Sequence, residues 1–332
     1  AVTGVRPVTD GLARTLAAAL ADPAVAARVT AAAAAQPVDL ATVAGNTPLA
    51  GPVRAANQRV LAAKGLPADT GSLLRLRLAH PDMRAALARG VTPLVAATPN
   101  DDTPTTVTGY DPAGGTVALD PARIPTRPVL LVEVDTAKAL PAGLAYLRTE
   151  LARRGVGDVA SALAPVTAAA GYWATKVTAV RLSDDEEPWI KGDAEIYSVV
   201  AGFGLDGKAK VDLVQMPYLN EDGRTYYPNQ LLVHYSAYKY NLADVVMMED
   251  DGDTNYQQLV QAIASALLTI VDGGVYTPLV NAILAAIPTS WYTDDPDYVD
   301  SWYTLATYSS GRLNGASGNG WFDVVPYFVE EL

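Results

Sequence analysis

Three groups of carboxylates stand at the edges of strand-like segments. Asp193 and Glu195 enter one; Glu249, Asp250, Asp251 and Asp253 leave another; Asp294, Asp295, Asp297 and Asp300 precede a third. Calcium takes about six to eight oxygens from acids, carbonyls and water at flexible spacing, and loops gathered at one end of a β-sandwich can supply them. Asp193 and Glu195 are two residues apart, so they share a face if the strand begins early enough. Asp251, Asp253 and Asn255 begin like an EF-hand, but Tyr256 stands where the loop needs glycine and Ala262 where it needs the bidentate glutamate. A calcium site is therefore expected to be assembled from separated loops, with Asp193, Glu195, Asp250, Asp251 and Asp253 as its ligands. The bland alternative for every one of these acids is a solvated turn residue or a helix cap.

Other chemistries are thin. The chain has no cysteine, which removes disulfides, thiolate nucleophiles and cysteine-type zinc or iron–sulfur sites. Its two histidines are His80, before Pro81, and His234, in an apolar stretch among tyrosines, and both read as structural. Gly202-Phe203-Gly204-Leu205-Asp206-Gly207 satisfies the dinucleotide fingerprint literally, but strand alternation follows where a phosphate-binding helix is required, so a hairpin turn is expected. Asp69-Thr70-Gly71-Ser72 looks like an aspartic-protease tetrad without the second copy that must share its proton; helix-forming Leu73 to Leu78 follows, which favours an N-cap. Gly315-Ala316-Ser317-Gly318 matches a nucleophile elbow only loosely, since Asn319 breaks the frame.

The elements that must position these residues differ between the two halves of the chain. Residues 1–180 hold 17 Lys and Arg against 13 Asp and Glu, whereas residues 181–332 hold 7 against 23, so the formal net charge of −12 belongs to the second half. Of 25 aromatic residues, only Tyr110, Tyr146, Tyr172 and Trp173 fall in the first 180. Two independent asymmetries point to two modules, 1–170 and 171–332. Alanine-rich stretches predict helices at Gly11–Ala21, Ala24–Ala35, Pro48–Lys64 and Ser72–Arg89, followed by a loop over Thr98–Gly115. Strands at Thr116–Leu119 and Val129–Val134 and helices at Ala142–Arg154 and Val159–Ala170 complete the first module. From Val177 onward, β-branched and aromatic residues alternate with polar ones between glycine turns, predicting strands at Lys176–Leu182, Glu195–Gly202, Lys210–Met216, Leu231–Tyr235, Asp244–Met248, Ser301–Tyr308 and Trp321–Val329. Helices are expected at Tyr256–Val271 and Thr277–Ile287. The fold class is α+β: an Ala-rich, mainly helical N-terminal region with a small α/β segment, then an antiparallel β-sandwich, C2-like by analogy, with inserted helices.

Several segments resemble those of a bacterial family known as domain of unknown function 3103. They are Gly192-Asp193-Ala194-Glu195-Ile196-Tyr197, Met216-Pro217-Tyr218-Leu219, Tyr226-Tyr227-Pro228-Asn229-Gln230, Asp253-Thr254-Asn255-Tyr256 and Asp297-Tyr298-Val299-Asp300, together with Val129 to Gly155 around Leu131-Val132-Glu133-Val134-Asp135. The resemblance covers most of residues 120–329 and implies a bacterial, exported protein, but brings no catalytic residues to transfer.

The function expected from these features is that of a secreted, non-catalytic binding module in which calcium fixes the loops and aromatic residues supply contact area for a carbohydrate or protein ligand. An acidic surface repels nucleic acid, and no apolar run is long enough to span a membrane. Ala1 is what signal-peptidase cleavage would leave. The rival expectation is an extracellular hydrolase using paired carboxylates or a metal-activated water. Trp189, Trp291, Trp302 and Trp321 read first as sandwich core and second as a stacking platform for sugars.

Overall fold

Leu74-Arg75-Leu76-Arg77-Leu78 alternates apolar and charged side chains with the two-residue period of a sheet, and it forms a strand where helix propensity predicts a helix. Leu and Arg are good helix formers, but pairing with the apolar run Val129–Val134 overrides that preference. The N-cap expected at Asp69 or Ser72 accordingly has no helix to cap.

The structure is a computed structural model that describes residues 4–100, 104–157, 171–183, 188–293 and 297–330. The predicted helix Val159–Ala170 and the acids Asp294 and Asp295 lie outside the described residues. Two spatial units emerge: Ala1–Ala142 with Glu187–Ala194 and Asp251–Asn255, and Gly143–Glu186 with Glu195–Asp250 and Tyr256–Leu332. Three chain segments make each unit, so this grouping in space differs from a single cut in sequence after residue 170.

The first part of the chain runs α1 (Val5–Ala19), α2 (Pro23–Ala35), β1 (Val38–Asp39), α3 (Leu40–Ala44), α4 (Ala50–Ala63), β2 (Leu74–Leu78), α5 (Arg84–Ala88), β3 (Leu94–Ala97), β4 (Val107–Tyr110), β5 (Thr116–Leu119), β6 (Val129–Val134) and α6 (Thr136–Arg153). Its strands form one six-stranded sheet in the order β1-β2-β6-β3-β4-β5, antiparallel except where β3 runs parallel to β6. The expected loop over 98–115 therefore contains a strand, β4. Helix α1 packs its Val5, Val8, Leu12 and Leu16 stripe on the sheet. The side carrying Val129 and Leu131 is closed by Met83 and by Ile190 from the segment Glu187–Ala194.

The second part runs β7 (Gly171–Leu182), β8 (Glu195–Phe203), β9 (Ala209–Gln215), β10 (Thr225–Tyr226), β11 (Gln230–His234), β12 (Leu242–Asp250), α7 (Tyr256–Leu268), α8 (Val280–Ala286), α9 (Ser290–Thr293), β13 (Tyr298–Ala306), β14 (Gly311–Asn314) and β15 (Gly320–Glu330). One sheet has the order β10-β7-β15-β14 with β11 also on β7, and the other β13-β12-β8-β9. Val177, Val180, Phe322 and Val324 from the first sheet meet Ile196, Val200, Val245, Met247, Trp302 and Leu305 from the second in one core. Each fully buried aliphatic side chain of this kind stabilises by about 1.5–3 kcal/mol relative to exposure. The result is the antiparallel sandwich expected from the alternation, with α7 and α8 against β9, β12 and β13.

The glycine triplet Gly202, Gly204 and Gly207 forms the β8–β9 hairpin: Gly204 N–H donates to the Lys208 carbonyl at 2.8 Å, and Gly207 takes a positive φ of 77°. The structure thus has a turn where the dinucleotide fingerprint would need a helix N-terminus. A different glycine is required by packing. The ring of Tyr256 lies directly on the backbone of Gly143 in α6, where an added Cβ would overlap it. Gly143→Ala is therefore expected to destabilise by about 1–3 kcal/mol through overpacking, although alanine is the better helix former by roughly 1 kcal/mol. A lowered thermal midpoint of the variant checks this.

Candidate metal centre

The most charged interior of the first unit is built on β2 and β6. Arg75 and Glu133 face each other in the ladder. The Glu133 carboxylate accepts from Arg75 Nε and Arg77 Nε at 2.6 Å each and from the Thr98 hydroxyl at 2.8 Å. Glu133 is buried and both arginines are nearly so. Burial pushes the Glu133 carboxyl up, but the Arg77 and Arg75 guanidiniums pull it down further, and it settles below its ordinary value. Arg77 also reaches the Lys191 carbonyl at 3.2 Å, which ties the segment Glu187–Ala194 to the strand.

That segment delivers Asp193 to the same place. The Thr136 hydroxyl donates to the Asp193 carbonyl at 3.0 Å. Asp193 and Asp251 then line a crevice with Glu133, Asn100, Thr98, Thr136 and Thr9, and Gly192 and Gly252 share the rest of its wall with Val5 and Val134. Its volume is about 10 Å³, the space of one water molecule or one bare cation. The donor set is all oxygen, from carboxylates, an amide and hydroxyls, which suits a hard cation such as calcium or magnesium and not zinc or copper. Asp253 does not line the crevice, but one of its carboxylate oxygens lies within 4.8 Å of one on Asp251.

The structure distributes the five predicted ligands as follows. Asp193, Asp251 and Asp253 belong to the first unit, whereas Glu195 and Asp250 belong to the second, where they are direct partners across the β8–β12 ladder. Strand β8 begins at Glu195, so Asp193 precedes the strand and the shared face does not arise. Asp250 is fully buried and accepts from the Tyr256 hydroxyl at 2.5 Å. Burial, then the nearby Asp297, Asp250 and Glu249, push the Tyr197 phenol well above its ordinary range, so it stays protonated in this dry acidic setting. Asp300, from the third acidic group, is buried and accepts backbone N–H bonds from Ser301, Ser317, Asn319 and Gly320 at 2.7–3.0 Å. It organises the β14–β15 hairpin, where Ser317 bonds to the Tyr298 hydroxyl at 2.8 Å and the loose nucleophile-elbow match is a turn.

Both histidines take structural places. His80 Nδ1 accepts from the Asp82 N–H at 3.2 Å at the start of a short helical turn. His234 pairs with the Tyr172 hydroxyl at 3.0 Å, and burial lowers its pKa, so it is neutral at pH 7. Trp291 and Trp302 are buried in the second unit, Trp302 tilted against Phe322 with centroids 4.1 Å apart.

The second unit also holds an open cavity of about 690 Å³ lined in part by Leu205, Leu268, Val271, Asp206 and Asp272. Neither acid is suited to donate a proton at neutral pH. Hydrogen bonds from Lys239 and Tyr240 bring Asp272 down to about 2. Burial raises the Asp206 carboxyl, but the Lys208 amide and the Lys210 ammonium outweigh it and hold it below its ordinary value. A glycosidase-type general acid needs the opposite shift.

Sheet order and site together define an α+β protein with a two-sheet antiparallel sandwich and, in its other unit, an oxygen-lined acidic crevice. The chain belongs to the family described as protein of unknown function (DUF3103), whose model matches residues 8–332. No curated protein and no solved structure matches it significantly. No helix among the described residues is long and apolar enough to cross a membrane.

Proposed function

We propose that this protein is a non-catalytic binding module stabilised by calcium, acting in a bacterial extracellular setting on a carbohydrate or protein ligand. The observation that carries the reading is the crevice of the first unit. There two carboxylates, Asp193 and Asp251, join Glu133, whose own charge is already met by Arg75 and Arg77, around a space the size of one ion. A small, oxygen-only site of this kind suits the calcium concentrations outside cells, where affinities of about 10⁻⁴–10⁻³ M suffice. The ion would hold the segments carrying Asp193 and Asp251 against β6, a stabilising role that needs no open coordination position for substrate.

Thermal unfolding with EDTA, with calcium and with magnesium tests this. Calcium at about 100 times its dissociation constant should stabilise by roughly 2.7 kcal/mol and raise the midpoint. Asp193→Asn with Asp251→Asn should abolish the rise while leaving the EDTA curve close to that of the parent protein. A midpoint that is the same at every calcium concentration sinks the proposal.

A further inference from the structure

We infer that the outer face of the β10-β7-β15-β14 sheet is a binding surface for an acidic oligosaccharide, one carrying uronic-acid carboxylates. The inference rests on the binding-module reading but not on the calcium site.

Register decides which residues share this face. Phe322 and Val324 of β15 point into the sandwich core, so Trp321, Asp323, Val325 and Tyr327 point outward. Trp321 is the direct partner of Arg181 on β7, and Asp323 is the direct partner of Arg312 on β14. A bulge at Asp323/Val324 shifts the pairing on β7, and it is this shift that brings Lys176 to the outer side with Tyr327. The side chains confirm the sidedness. The Lys176 ammonium lies 4.5 Å from the Tyr327 ring centroid, and the Arg312 guanidinium 3.6 Å from that of Trp321. Arg312 also pairs through two bonds with Asp323 at 2.8 and 3.0 Å.

The charge on this face runs against the charge of the chain around it. Residues 171–332 contain 8 Lys and Arg against 23 Asp and Glu. Three of those eight cations, Lys176, Arg181 and Arg312, gather on the outer face, where Asp323 is the one outward-facing acid among the described residues of these strands. At physiological ionic strength fields fade over about 8 Å, so a ligand lying on the sheet meets these cations more than any acid beyond that range. Arg181, Arg312 and Tyr327 are exposed, and Lys176 and Trp321 are partly so.

The chemistry of the ligand follows from the pairing of rings with cations. An aromatic ring offers an apolar face to the C–H surface of a sugar. A cation held over that ring, as the Lys176 ammonium is over Tyr327, is already placed, so little side-chain freedom is lost when it meets a carboxylate, whereas Arg312 already has one in Asp323. A uronic acid presents both features on one ring. A neutral sugar would leave the cations without an added partner. A single-stranded nucleic acid also offers anions to the cations and flat bases to the rings, and its binding is an outcome of the titration below.

The test is calorimetric titration of the full chain in EDTA with oligogalacturonate, a neutral cello-oligosaccharide and a single-stranded DNA oligonucleotide. EDTA keeps the result independent of calcium, which the melting experiment addresses separately. Oligogalacturonate should bind, more weakly as salt rises, while the neutral oligosaccharide and the DNA bind at least about tenfold less well. Lys176→Glu with Arg181→Glu should weaken oligogalacturonate binding by about tenfold or more, and Tyr327→Ala by several-fold. Arg181→Gln, a change at one exposed residue, should give a smaller loss with an unaltered melting midpoint. The inference is overturned if oligogalacturonate does not bind, if the variants bind it as the parent does, or if the neutral sugar or the DNA binds equally well.

Discussion

Glu133→Gln is expected to destabilise the first unit by about 3–5 kcal/mol, the usual consequence of removing one partner from a buried ion pair. The substitution keeps the side chain's size and removes only its charge. Arg75 and Arg77, both about 15% exposed, then keep their positive charges without the anion that two 2.6 Å bonds had given them. The Gln amide nitrogen would also face a guanidinium with a donor against donors. Urea unfolding read by fluorescence has a local reporter, because Trp189 belongs to the first unit and donates to the Asp120 carbonyl there. The other four tryptophans report on the second unit, so separate transitions can be told apart. The effect also has a sign in pH. The folded-state pKa of Glu133 lies below its ordinary value of 4.5, so its contribution is fully present above that value and is lost as pH falls through the lower, folded-state pKa. The gap between parent and variant should therefore be widest near neutrality and shrink in acid below about pH 4.5. Replacing Arg75, Arg77 and Glu133 together by apolar residues of similar size should recover most of the loss, since the penalty lies in stranded charge more than in a missing attraction.

The sandwich was legible because β9 and parts of β7 and β15 alternate buried and more exposed residues between glycine turns, while β8 and β12, buried along nearly their whole length, are marked by their β-branched residues. The sheet of the first unit was harder to see. Its central strands β3 and β6 are buried on both sides and show no alternation, while β2 is made of residues that favour helices. A signal was nevertheless present. A glutamate within the apolar run Val129–Val134 and two arginines in Leu74–Leu78 are charges in segments otherwise fit for a core, and such charges must find one another. Spacing alone could not show that Asp193 and Asp251, 58 positions apart, meet at that pair. Nor could it show that Asp250, one residue before Asp251, is turned to a tyrosine instead. A carboxylate at a strand end reads the same whether it will take a cation, a phenol or a row of backbone amides. Only the donors brought to it by distant segments decide.

Asp300 shows the last of these outcomes and supports the second large prediction. Asp300→Ala is expected to destabilise by about 3 kcal/mol, because four backbone N–H groups lose their acceptor and a buried unsatisfied donor costs about 1–3 kcal/mol, partly relieved as the turn opens to water. Asp300→Asn should lie between parent and alanine, since its amide keeps one acceptor oxygen and turns a donor towards the remaining N–H groups. Hydrogen exchange at Ser317, Asn319 and Gly320 should quicken before the sandwich core does, which distinguishes a loosened hairpin from global unfolding. Gly315 makes the argument sharper. A Cβ at that position would overlap the Asp300 carboxylate, so Gly315→Ala should be harmful in the parent protein and much less so once Asp300 is alanine. In a double-mutant cycle the two losses should fall short of additivity by at least about 0.5 kcal/mol. Simple addition would mean that the glycine is required for some other reason and that the carboxylate does not shape this turn.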